Sequence, residues 1–475
     1  MKGTSNYIGF DCGNSSIRTV LGTFDGSHIK TEVVQQTPNQ ALQGYAYDYW
    51  DILSIFHTMQ LAMKKTCSEV SSISSFGIST WGIDFGLLGR SGELLGNPLC
   101  YRNLLGTVGL NTLSDSDLHA MFGYTGIQNH PMNSLYQILG IREKLPEYPL
   151  AVKSLLTIPD LLNYLFTGER NSEVSIASTT QLLDMRKRTY CDSVFSKTGI
   201  CKNWFPPLVG HGQIRGMLRS ELASKLGIPA FPSISVPSHD TASAIVSVPT
   251  GEKDFAYISS GTWSLIGTEL HEPIINSIVE KQGFSNEGGL HGSITLLKNS
   301  CGMHILQNIK RELEFTENRT YSWDEIVALA MPCLEAKTCK SFDPNDTSLY
   351  NPLSMIGAIR DLTGLEGIGD VVASAYMALA VSYAKGIEDL QVITGKEYPT
   401  IHIIGGGSRN AHLNQMTADI SGKRVLAGPY EATSLGTIAV QVMHDNPHLT
   451  IQDIRKIIGD SVGIQEYLPA ATLGK

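Results

Sequence analysis

The sequence predicts an α/β protein of two domains, on three observations. Strand-like runs alternate with helical patterns almost from end to end, which suits layered sheets and helices rather than a sandwich or a bundle. One strand-turn-strand pattern occurs twice, once near the start and once in the second half. At 475 residues the chain exceeds the size at which one hydrophobic core keeps growing.

The first copy of the pattern runs from Tyr7-Ile8-Gly9-Phe10 through Asp11-Cys12-Gly13-Asn14-Ser15-Ser16 into Thr19 to Phe24. The second runs from Phe255-Ala256-Tyr257-Ile258 through Ser259-Ser260-Gly261-Thr262-Trp263-Ser264 into Leu265 to Leu270. Each reads as a β-hairpin whose tight turn carries glycine and hydroxyl residues, the chemistry that offers N–H and O–H groups to phosphate oxygens. Two such hairpins facing across a cleft would take a nucleotide triphosphate between them, with Asp11 marking the metal end. The bland alternative for Asp11 is a turn residue bonded to its own backbone.

Between the hairpins, Ser75 to Thr80 reads as a buried strand and Trp81-Gly82-Ile83-Asp84-Phe85 as its loop. Arg90-Ser91-Gly92-Glu93 is the turn of a following hairpin. The loop joins an aromatic surface to a carboxylate, a pairing suited either to gripping a sugar or to a hairpin corner packed under Trp81. Pro232 to Pro237 is a further strand, and Ser238-His239-Asp240 leads into a helix that begins at Thr241. At this junction Asp240 is a candidate proton acceptor or a helix cap, and His239 a sugar contact or a structural histidine. The polar segment Val248 to Asp254 holds Pro and Gly, so the domains are placed at 1–247 and 254–475.

In the second domain, Val371 to Ile387 is apolar but broken by Ser374, Tyr376, Ser382 and Lys385, as in a buried helix. His402-Ile403-Ile404 is a strand, Gly405-Gly406-Gly407-Ser408 a loop open to a ligand, and Arg409 to Ile420 a helix. Val425 to Pro429 is the next strand, and Glu431 to Thr437 opens a further helix.

Lys plus Arg number 36 against 45 Asp plus Glu, a net charge of −9 without a basic run, which argues against nucleic acid or an anionic membrane as partner. The eight cysteines are scattered and Cys333 and Cys339 match no zinc spacing. With no apolar block at the N-terminus, the expected location is the cytoplasm.

The residues resemble the sugar kinases named after a Phe-Gly-Gly-Tyr signature, the FGGY family, over nearly the whole chain from Ile8 to about Gln441. The resemblance rests on Ser79 to Leu88, Tyr124 to Gln128, Pro159 to Leu165, Ala177 to Leu182, His239 to Ala244 and Ile258 to Leu265. Asn286 to Gly289, Leu296 to Asn299, Gly405 to Ser408 and Ala427 to Thr433 add to it. The resemblance implies two actin-like, ribonuclease-H-like ATPase domains facing across a deep cleft, with ATP held mainly by the second and the sugar by the first. It implies transfer of the γ-phosphate of ATP, assisted by Mg²⁺, to the C1 hydroxyl of a ketose. L-rhamnulose is the first expectation; L-fuculose or L-xylulose, or a non-catalytic nucleotide-binding sugar sensor, are the alternatives. By motif match, Asp240 is the proton acceptor and Gly82, His239, Thr241 and Asn299 contact the sugar. Asn14, Ser15, Ser16, Ile17, Arg18, Thr262, Gln307 and Gly406 match nucleotide-binding positions. The expected state is a monomer or homodimer. Related sugar kinases of the family usually carry glycine where this chain has Ile17, so a differently shaped γ-phosphate pocket or a slightly shifted turn is expected, with reduced fit at most and no loss of activity.

Overall fold

The computed structural model describes residues 4–350 and 352–470. Two large sheets carry the fold. Strands β1 (Ser5–Cys12), β2 (Ser16–Phe24), β3 (Ile29–Pro38), β4 (Ser75–Thr80), β5 (Ile214–Met217) and β6 (Pro232–Ile234) form the first, in the order β5-β6-β4-β1-β2-β3. Strands β7 (Ala256–Ser260), β8 (Trp263–Leu270), β9 (Phe284–Gly288), β10 (Ile294–Cys301), β11 (Thr400–Ile404), β12 (Arg424–Ala427) and β13 (Gln465–Tyr467) form the second, in the order β9-β10-β8-β7-β11-β12-β13. The helices that matter for the site are α1 (Ile158–Thr167), α2 (Val174–Ser178), α3 (Asp240–Val246), α4 (His304–Glu317), α5 (Ile368–Thr394), α6 (Ala411–Ser421) and α7 (Ala432–Asp445).

Both repeated patterns are antiparallel hairpins, β1 with β2 and β7 with β8, and in each the first strand pairs in parallel with a much later one. Those later strands are β4 for the first hairpin and β11 for the second. Parallel pairing aligns the carboxyl ends of β1 with β4, and of β7 with β11, and ligands of open α/β sheets bind at such ends. Strand alternation also sorts the first turn: Asp11 lies opposite Arg18, and Cys12 opposite Ile17 on the other face.

The chain divides into two compact units, neither of them one continuous run. The first comprises Met1–Gly251, Glu269–Leu296 and Ala432–Ser461; the second comprises Glu252–Thr268, Leu297–Glu431 and Val462–Lys475. In the first unit Phe10, Phe76, Phe166 and Phe231 fill the core, with Phe10 and Phe166 stacked at 5.8 Å and Phe76 edge-on to Phe166 at 5.4 Å. Helix α7 packs on this sheet through glycines: a Cβ added at Gly22 would stand 2.4 Å from Ile438, and one at Gly436 only 1.8 Å from the Ser243 carbonyl oxygen of α3. The Gln441 amide donates to the Ile8 carbonyl at 3.1 Å and accepts from the Ser75 hydroxyl at 2.7 Å, so the buried polar groups under α7 are paired.

The core of the second unit is α5 against β7 and β8. The Tyr383 hydroxyl meets Ser264 at 2.5 Å and Ser260 at 3.2 Å, while Gly386 lets Ile266 approach the helix backbone. No single described helix is long and apolar enough to cross a membrane, and α5 buries most of its apolar residues within the protein, Val381 and Val392 being exposed. Helix α6 starts at Ala411 rather than Arg409, because Gly406–Arg409 form a short 3-10 turn and the Asn410 side chain caps the helix at the Leu413 N–H.

Candidate active site

In the first unit the carboxyl ends of β1, β4 and β6 meet. Thr80 donates its N–H to the Ser238 carbonyl at 2.8 Å, and Trp81 donates to the Cys12 carbonyl at 3.2 Å. This lattice sets Thr80, two residues before Gly82, beside the junction where Ser238-His239 turns into α3, while Gly82 itself packs on Thr179. His239 is the N-cap but makes no side-chain cap bond, and Asp240 is the first helical residue. The Asp240 carboxylate accepts from the Thr241 N–H at 2.6 Å and from its hydroxyl at 3.2 Å, with about a third of the side chain still open (33%).

His239 stands between two acids. Its Nε2 lies 3.3 Å from Asp240 Oδ1, and its Nδ1 lies 3.0 Å from Glu287 Oε2 of β9, an ion pair rather than an aligned hydrogen bond. Burial alone would lower the imidazole, but the Glu287 carboxylate, then Asp240 and Glu173, outweigh it and push His239 up to about 9. Burial raises the Asp240 carboxyl above the usual range, while the His239 charge and the Thr241 donors hold it back. A carboxylate in this setting is a competent acceptor for a hydroxyl proton.

The phosphate candidates of the first unit lie next door. Asp11 accepts from the Ser434 hydroxyl at 3.0 Å and has Arg18 at 3.9 Å. The preceding residue, Thr433, donates its hydroxyl to the Asp240 carbonyl at 3.2 Å, so the start of α7 ties both acids into one patch. The Gly13–Ser16 turn is closed by the Gly13 N–H on the Ser16 carbonyl and clamped by Asn39, leaving Ser15 exposed. The Asn14 amide oxygen is buried without a hydrogen-bond partner. Among the described residues no group of three His, Cys, Asp or Glu side chains could hold a metal. A lone carboxylate such as Asp11 fits Mg²⁺, which keeps its waters and relies on substrate phosphates for the remaining ligands. Ile17 departs from the expected effect on the pocket: its side chain is buried in the core beside Cys12, on the face opposite Asp11 and Arg18.

The second unit brings Thr262, Gln307 and Gly406 to the ends of β7 and β11. Met303 and His304 donate their N–H groups to the carbonyls of Gly261 and Thr262, so α4 starts at the hairpin turn, and Gln307 lies one turn along it. Gly407 packs on Ser260, leaving no room for a side chain there, whereas a Cβ at the exposed Gly406 would meet nothing within 4 Å. Asn299 is exposed on β10 in this unit.

The descriptions of the N-terminal and C-terminal domains of the FGGY family of carbohydrate kinases match residues 6–247 and 256–444. The chain belongs to that family. It is similar to a rhamnulokinase of Bacteroides thetaiotaomicron, 35% identical over 98% of this chain and 96% of the relative, and to one of Ligilactobacillus salivarius, 34% identical over 98% and 95%. Among solved structures, a ligand-bound xylulose kinase from Lactobacillus acidophilus superposes with a TM-score of 0.82 at 16% identity, covering 98% of this chain and 94% of that one. Plasmodium falciparum glycerol kinase with ADP gives 0.75 at 14% identity, over 97% and 94%. The molecule is thus a two-domain α/β carbohydrate kinase, a phosphotransferase.

For a carbohydrate kinase the Trp81-Asp84 loop is built differently from a sugar grip. Trp81 is 3% exposed and Asp84 1%, so neither offers a face to a ligand. Asp84 instead accepts from the indole N–H groups of Trp50 at 2.5 Å and Trp81 at 3.0 Å, and burial, tempered by these donors and by Gln137, pushes it up to about 7. This is a packed corner between two sheets rather than a hairpin, since Ser75–Thr80 and Phe85–Leu88 do not pair with each other, and it holds Gly82 and the strained Ile83, at φ 70°, in place; Ile83 N–H and C=O are tied to Thr179 and Ser134.

Two further acids stand at this kinase's candidate site. Glu287 was visible only as part of the Asn286 to Gly289 motif. Glu173 is fully buried at the start of α2 and accepts from the Ser175 hydroxyl at 2.6 Å and the Ser238 N–H at 2.9 Å, beside His211 Nε2 at 2.6 Å. Burial opposes its charge, but His211 and the Ser175 donors prevail and hold it down at about 2. Glu173 thereby anchors the strand end that carries His239 and Asp240.

Proposed function

We propose that this kinase transfers the γ-phosphoryl group of ATP to the C1 hydroxyl of L-rhamnulose, giving L-rhamnulose 1-phosphate and ADP in rhamnose catabolism. The sugar assignment rests on one observation: two relatives named rhamnulokinase align over 98% of the chain at 34–35% identity. Asp240 takes the C1 hydroxyl proton as the oxygen–phosphorus bond forms and the bond from the γ-phosphorus to the bridging oxygen breaks. His239, Thr241 and Asn299 bond sugar hydroxyls, and Gly82 admits the sugar close to the backbone. Asn14, Ser15, Ser16, the Ile17 backbone and Arg18, with Thr262, Gln307 and Gly406, hold the nucleotide. Residues 1–247 hold mainly the sugar and residues 254–475 mainly ATP, with Asn299 and the Asn14 to Arg18 turn as the exceptions. Asp11 would hold Mg²⁺, which neutralises charge on the phosphate oxygens. The enzyme acts in the cytoplasm, where ATP is supplied, as a monomer or homodimer, with sugar and nucleotide as its partners.

A panel of ketoses assayed for ATP-dependent ADP release tests this reading, with ³¹P NMR to place the phosphate. L-rhamnulose is expected to give the highest kcat/KM and a phosphate at C1. Preference for L-xylulose or L-fuculose would reassign the substrate, and no turnover with any sugar would return the chain to a nucleotide-binding sensor.

A further inference from the structure

We propose that Glu287 is a positioning residue for phosphotransfer: it holds His239 in its charged form against Asp240, and so sets the alkaline limit of the pH range over which the sugar hydroxyl is deprotonated. The inference rests on Asp240 being the proton acceptor, as read above, and on the geometry of the first unit. Strand β9 is seated on α2, where the Gly288 N–H donates to Ser178 at 2.8 Å, and a Cβ on Gly288 would stand 3.2 Å from the Ser175 Cα. That seat brings Glu287 to 3.0 Å from His239 Nδ1. Helix α2 also fixes the other partner, since the Ser175 hydroxyl accepts the His239 N–H at 3.2 Å. One short helix therefore registers the acid, the histidine and, one residue on, the base.

The charged groups facing His239 are Glu287 from β9, Asp240 from α3 and, more remotely, Glu173 from the start of α2. Glu173 is already engaged with His211 and with Ser175 and Ser238, which leaves Glu287 as the acid in direct contact besides the base itself. With its charge present, His239 stays protonated to about pH 9 and lends Asp240 a cation at 3.3 Å. Removing the Glu287 charge has two opposed effects on Asp240. The direct loss of a like charge lowers its pKa, whereas the loss of the His239 proton raises it. The two act at different pH: on the acid side His239 keeps its proton and only the first effect remains, whereas on the alkaline side the second takes over, since the histidine is the closer group and the larger influence.

Glu287→Gln is expected to shift the pH profile of kcat toward acid. The alkaline limb moves down as His239 loses its proton earlier, while the acid limb does not move up, because there His239 is still protonated and Asp240 only loses a like charge. The alkaline limb should move by about one pH unit, which is about a tenfold loss of turnover on that limb. Glu287→Asp, which keeps the charge, should restore most of the alkaline limb. A lower kcat with both limbs unmoved would mean a merely structural role and overturn the proposal. The wild-type enzyme gives a reading that needs no variant: ¹⁵N NMR of the His239 ring should find both nitrogens protonated at pH 7.5, and a neutral ring there would overturn it equally. Unchanged turnover in Asp240→Asn would instead remove the base itself, so the two failures are distinguishable.

Discussion

Asp240 sits where a capping residue would be expected, yet its carboxylate bonds Thr241, the adjacent residue, and the helix cap position belongs to His239. A carboxylate held by its own neighbour and open to one side is available for a substrate proton. Asp240→Asn keeps the shape and the Thr241 donors nearby but cannot accept that proton. Turnover should fall by about two to four orders of magnitude, while nucleotide affinity, measured by calorimetry, stays within a factor of about two of wild type. Unchanged turnover would exclude the assigned role. His239 and Asp240 were legible in sequence because a strand-to-helix junction declares itself locally. Their partners were not: Glu287 is 47 residues further along than Asp240, and its approach depends on how β9 seats on α2, which no local pattern encodes. Trp81 and Asp84 show the converse limit, because an aromatic beside an acid reads alike whether it faces a ligand or, as here, closes a buried corner.

At the scale of elements, the two hairpins were legible because glycine and hydroxyl turns between apolar runs leave few other conformations. The consequence for Ile17 was not, because which face of the strand it takes depends on the register with β1; the period of two sends it to the core with Cys12 and leaves Arg18 beside Asp11. The placement of α7 was likewise hidden, since its glycine contacts are tertiary. Gly436 makes the tightest of these, against a backbone carbonyl of α3 that no rotamer change can move aside. Gly436→Ala should therefore destabilise the protein by about 1–3 kcal/mol, read by urea denaturation, and should also lower kcat, because α3 carries Asp240 at its first position. A variant as stable as wild type would show that the two helices yield freely, and that their close approach does not fix the base.

For the whole molecule, length and the repeated hairpin announced two domains, but not that Glu269–Leu296 and Ala432–Ser461 return to the first compact unit. Those returns are tertiary events: the first supplies Glu287 and the second supplies Thr433 and Ser434, which tie Asp240 and Asp11 together. A protein in which two late segments complete the earlier unit gains its site only when the full chain has folded, and a ligand bound to that site reports on the whole fold. ATP with Mg²⁺ at one hundred times its Kd should stabilise the native state by about 2.7 kcal/mol, because binding to the native state alone shifts the folding equilibrium by mass action. Asp240→Asn should show the same stabilisation despite its loss of turnover, since the base meets the sugar hydroxyl rather than the nucleotide. Thermal and chemical denaturation with and without ATP measure this directly. A wild-type protein that no nucleotide stabilises would contradict the phosphate sites assigned to both hairpin turns, whereas stabilisation lost together with turnover in Asp240→Asn would mean that Asp240 holds ATP instead of accepting the proton.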